Sequence, residues 1–135
     1  MSGERATDEA PASPGEVLRA GFIAAAASAT AMAAFGLAQD PGGPSFLLVA
    51  FFLGSFFFGL FHAWFIAIPA YLLLRRKWPL TRRRSVIGGL VVGGLPWGLF
   101  TLSIGAPWPN VALTVGMCGA AGAIGGMAFA AMLRP

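Results

Sequence analysis

The run from Ser45 to Leu74 is thirty residues long and contains no Asp, Glu, Lys or Arg. Nothing else constrains the fold of this chain as strongly. A helix of a soluble protein interrupts its apolar positions with polar ones at a spacing of about 3.6 residues. Here those interruptions are missing. About 20 apolar residues suffice for a helix to cross some 30 Å of hydrocarbon. In that solvent every backbone amide must be paired within the protein, so an apolar run of this length is expected to be a membrane-spanning helix. The strands of a barrel would alternate polar and apolar residues, and this run does not.

Three more blocks share the property. Val17 to Ala38 is alanine-rich, and Ser85 to Ile104 and Val111 to Leu133 are rich in glycine. With 57% hydrophobic and only 10% charged residues, the 135-residue chain lies outside the composition of soluble domains. The expected fold class is therefore all-α, an integral membrane four-helix bundle. Its helices run over about 17–38, 45–74, 85–104 and 111–133, in one domain spanning 17–135. The polar, proline-containing stretch MSGERATDEAPASPGE, residues 1–16, reads as a disordered cytoplasmic tail.

The charges orient this arrangement. The nine basic residues are Arg5, Arg19, Arg75, Arg76, Lys77, Arg82, Arg83, Arg84 and Arg134. With four crossings, the tail, the 75–84 loop and the C-terminus fall on one side, and all nine belong to it. The opposite loops, QDPGGPS and GAPWPN, carry none. Cytoplasmic loops hold the Lys/Arg excess, so both termini are expected inside, in a bacterial inner membrane. Arg19 lies about a turn into the first span and reaches back to the headgroups. Trp78 and Trp108 fit the two interfacial aromatic belts. A cleaved signal peptide ending at Gly36-Leu37-Ala38 is the rival for the first span. The long acidic tail and the length of the run argue against it.

The loop RRKWPLTRRR could suggest nucleic acid, but topology already accounts for its charges, and no nucleic acid is expected. Anionic lipid headgroups are its natural partner, through Arg75, Arg76, Lys77, Arg82, Arg83 and Arg84, at about 1 kcal/mol each near the surface. The single Cys118 forms no disulfide within its own chain.

His62 is the one ionisable side chain in the long run, and an intramembrane ionisable residue is a functional candidate by default. At about 1.5 Å per residue the run is ~45 Å long, too long for the hydrocarbon. Pro69 offers a bend, since it lacks a donor and clashes with the carbonyl of Phe65. Ser55, Gly59, His62, Ile66 and Pro69 recur at spacings of four and three, forming one stripe that should face other helices. The structural reading of His62 is a neutral imidazole paired with Thr101, Thr114 or a carbonyl freed near Pro69. The functional one is a proton-linked or ligand-binding group. A haem or metal site would need several ligands, and the spans hold one His, one Cys and no acid. No cofactor or metal is expected, and a Cys118–His62 nucleophilic pair is weaker still.

Glycines recur four apart on the last two spans: Gly89 with Gly93, Gly94 with Gly98, and Gly122 with Gly126. Small residues at this interval let backbones approach closely in lipid. These two spans are expected to pack against the second, whose eight phenylalanines would fill the glycine grooves. Leucine at Gly122 or Gly126 should disrupt the packing, and alanine should do less harm.

Across residues 62–98 a His precedes a Pro and the run YLLLRR, then a basic linker, then GGLVVGGLPWG. This order resembles small four-helix inner-membrane proteins of proteobacteria. The resemblance implies a bacterial membrane address and carries no activity. The size is that of small multidrug transporters, but the membrane glutamate those rely on in their first helix has no counterpart here. The expected function is that of a non-catalytic accessory or assembly subunit acting through helix contacts, with a partner membrane protein or as a homo-oligomer. The alternative is an oligomeric small transporter or channel with His62 as its polar group.

Overall fold

The computed structural model describes residues 12–74, 77 and 81–133. Arg5, Arg75, Arg76, Trp78, Arg134 and most of the tail lie outside the described residues. The rest is helical: α1 (Pro14–Gln39), α2 (Ser45–His62), a π-helical turn (Ala63–Ala67), α3 (Ile68–Leu74), α4 (Arg82–Ser103) and α5 (Trp108–Met132). α2, the π turn and α3 follow one another without a break. This gives four helices, each long and apolar enough to cross a membrane, as in a multi-pass membrane protein.

Local chemistry sets the starts of α1, α4 and α5 three residues before the apolar blocks. α1 begins at Pro14 because Ser13 caps it. The Ser13 hydroxyl accepts from the Glu16 amide at 3.3 Å, and the Glu16 carboxylate accepts from the Ser13 amide at 2.7 Å. That reciprocal pair is a capping box with proline at the first helical position. Residues 14–16 therefore belong to the helix rather than to the tail. α4 begins at Arg82, where Thr81 accepts from the Arg84 amide at 3.2 Å. α5 starts at Trp108 with Pro109 in its first turn. α4 ends on Gly105, whose φ of +71° is open to glycine at little cost. The amides of Gly105 and Ala106 then return to the carbonyls of Leu102 and Thr101, each at 3.0 Å, which closes a Schellman motif.

α4 packs most extensively along α5, α5 along α1, and α1 along α2. The ring closes only locally, where the π turn approaches α4 and Phe58 lies 5.0 Å from Trp97 between ring centres. The expected packing of both glycine-rich spans against the phenylalanine helix is not what forms. α4 and α5 use their glycines on each other. Phe46, Phe57 and Phe65 remain 69%, 64% and 65% exposed. The reason is distance. A Cβ at Gly89 would overlap the Gly122 carbonyl oxygen, and one at Gly126 would overlap the Ser85 carbonyl oxygen. Backbones this close leave no groove for a ring.

Small residues also make up the rest of the interior. The buried apolar residues are Val17, Ala20, Ala25, Ala29, Ile68, Val111, Ala121 and Ala130, with Ile68 the largest.

Candidate functional site

Residues this small cannot fill the space between four helices. A cavity of about 1230 Å³ runs through the interior, lined from α1, α2, the π turn, α3, α4 and α5. Drug-sized pockets measure about 300–1,000 Å³, so this one suits something larger or longer. It reaches from Met32 and Leu47 toward one end of the helices to Tyr71 and Arg84 toward the other. Alanine and glycine make up about half of its lining residues, and it is partly open.

The long helix brings His62 to this cavity, with Ser55 two turns earlier. The π turn then alters the face presented. Its hydrogen bond runs from the Ile68 amide to the Ala63 carbonyl, five residues back. The extra residue rotates everything beyond it by about 100°, one residue's share of a 3.6-residue turn. The stripe Ser55, Gly59, His62, Ile66, Pro69 therefore does not continue: Ser55, Gly59 and His62 face the cavity, while Ile66 and Pro69 are exposed. Ala67, Ala70 and Tyr71 take over the lining. The proline's missing donor is thus accompanied by a π turn in an otherwise uninterrupted helix.

None of the partners expected from sequence pairs with His62. Its Nδ1 donates to the carbonyl of Phe58, four residues back, at 3.0 Å. A carbonyl only accepts, so Nδ1 carries the proton in the neutral ring and Nε2 keeps its lone pair. The imidazole lies against the Phe58 ring at 4.2 Å. Its depth follows from α1. A Cβ at Gly59 would lie 3.7 Å from Ala25, and Gly21 faces the Ala63 methyl at 3.9 Å. His62 falls between these contacts, about 7 Å along the helix from the midpoint of α1.

The hydroxyls of the spans divide into two groups. Thr30, Ser85, Thr101 and Ser103 all donate to carbonyls three or four residues back in their own helix or its cap. Ser28 donates across to the Ala121 carbonyl of α5 at 2.9 Å. Ser55 and Thr114, which line the cavity, make no hydrogen bond among the described residues. They share the wall with His62 Nε2, the Tyr71 hydroxyl and the Trp97 indole N–H. The sequence places Ser55 and His62 on one stripe and offers Thr114 as a partner for His62; the structure brings all three to one cavity without pairing them.

The other candidates sit as follows. Gly89, Gly93, Gly94, Gly98, Gly122 and Gly126 all lie at the α4–α5 contact, where an added Cβ would meet the facing helix. Gly125 was not singled out. It packs instead on α1, where a Cβ would strike Ser28 and lie 2.9 Å from the Ala24 carbonyl oxygen. Lys77, Arg82 and Arg83 are exposed, and Arg84 is exposed at one end of the cavity. Cys118 also lines the cavity. Among the described residues no three His, Cys, Asp or Glu side chains come together as metal ligands would. Compared with known protein families, curated proteins and solved structures, the chain matches none.

Proposed function

We propose that the chain is a non-catalytic, multi-pass protein of the bacterial inner membrane whose interior binds a membrane-soluble, largely apolar molecule, in the manner of a small carrier. Both termini lie in the cytoplasm in this reading. The single observation that carries it is the interior cavity of about 1230 Å³, apolar in most of its wall and polar at a few points. Binding sites for apolar ligands have this composition. The placement of the nine basic residues supports the orientation through the positive-inside rule.

The test is to fill the cavity without disturbing its walls. Gly54 and Gly88 line it, and a Cβ at either would meet nothing within 4 Å. Protein purified in mild detergent and extracted with organic solvent should release a bound apolar molecule. Gly54→Phe and Gly88→Phe should release far less while melting at the same temperature. Recovery of detergent alone from the wild type would overturn the reading.

The second reading, an accessory subunit acting through helix contacts, is favoured by Gly116. This glycine is exposed on α5 with nothing within 4 Å of the position a Cβ would take, which permits close approach by another helix. In that reading Gly116→Leu would dissociate a complex that survives Gly54→Phe.

A further inference from the structure

We propose that the occupant of the interior is an elongated apolar molecule bearing a hydroxyl group, and that this hydroxyl donates its proton to Nε2 of His62. The inference rests on the ligand-binding reading and narrows it to a chemical class. Three observations lead to it. First, His62 Nδ1 is held by the Phe58 carbonyl at 3.0 Å, so the neutral ring presents only an acceptor elsewhere. Second, Ser55 and Thr114 line the same cavity and, unlike the four hydroxyls that bond back within α1, α4 and its cap, they keep their capacity for a ligand. Third, the wall as a whole is predominantly apolar, and in such surroundings an unmatched acceptor is costly. A ligand that offers only ether or carbonyl oxygens can satisfy the two hydroxyls but not Nε2. A hydroxyl-bearing one satisfies Nε2 as a donor, and its oxygen can still accept a hydrogen bond. An apolar chain attached to it would lie over the alanines and glycines of the wall.

The experiment compares two probes that differ only in the donor: a bromine-labelled long-chain alcohol and its methyl ether. Full-length protein is placed in phosphatidylcholine vesicles at pH 8, and quenching of Trp97, which lines the cavity, is followed. Trp97→Phe serves as the blank. The alcohol should bind about tenfold more tightly than the ether, the effect of one hydrogen bond that would otherwise go unmade. His62→Leu should abolish the difference, and His62→Gln, which retains an acceptor, should preserve much of it. Equal binding of the two probes to the wild type would overturn the hydroxyl inference and leave the cavity reading standing, whether or not the leucine variant folds. A preference that persists in a folded His62→Leu protein would also overturn it. If neither probe gives quenching dependent on Trp97, the ligand-binding reading falls, and this inference falls with it.

Discussion

Gly122 and Gly116 lie six residues apart on α5 and have opposite surroundings. A Cβ at Gly122 would overlap the Gly89 carbonyl oxygen and stand 3.0 Å from the Gly93 Cα, whereas one at Gly116 would meet nothing within 4 Å. Even alanine is therefore a disruptive change at Gly122, because the obstacle is backbone and cannot rotate away. Gly122→Ala should destabilise the protein by about 3 kcal/mol, the upper end of overpacking costs. Gly116→Ala should be neutral or stabilising by up to about 1 kcal/mol through helix propensity. Thermal unfolding in detergent measures both, and equal melting temperatures for the two variants would contradict the packing described for α4 and α5. The sequence shows glycine at both positions. Which one faces a carbonyl depends on how α4 lies against α5.

At the scale of elements, the π turn decides what the long helix presents. It sets Ile68 against Gly21, where a Cβ would lie 3.0 Å from the Ile68 Cδ1, and Tyr71 edge-on to Phe129 at 5.4 Å. Deleting Ala67 would restore ordinary α periodicity and rotate α3 by about 100° relative to α2. Both contacts should be lost, at a cost of about 1–3 kcal/mol, comparable to other packing defects. A deletion variant that melts with the wild type would show that α3 does not depend on this register. Pro69 made some irregularity legible in the sequence. Its form was not, because a kink and a π turn both accommodate the missing donor. The caps were more legible than the blocks suggested: Ser13 with Glu16, and Thr81, carry their own signals.

For the whole molecule, the proposed orientation makes a direct prediction. In a Cys118→Ala background, single cysteines replacing Asp40 or Trp108 should react with a membrane-impermeant reagent added from outside. Cysteines replacing Arg5 or Arg134 should react only once the cytoplasmic face is opened. If position 108 reacts only from the cytoplasmic side, the four-crossing arrangement is wrong. The four helices themselves are long and apolar enough to cross a membrane, and that much was plain in the sequence. The His62 environment was legible only in outline. An ionisable residue inside a span pointed to a polar neighbourhood, but Thr101 proved to donate to Trp97 and Gly98 within its own helix, and the ring found its partner at Phe58.

The sequence by itself determined the number and length of the helices, because these depend on one-dimensional quantities: the count of consecutive apolar residues and the thickness they must match. Tertiary structure alone decided which faces meet and what space they enclose. In a soluble helix, polar residues mark the outside face. In lipid the outside is as apolar as the inside, so hydropathy carries no record of the inward face. The glycines of α4 and α5 are selected by shape, through the approach of two backbones. With those helices drawn together and most phenylalanines of α2 left exposed, the alanines and glycines of four helices are too small to fill the interior. The cavity beside His62 follows from that mismatch of volumes.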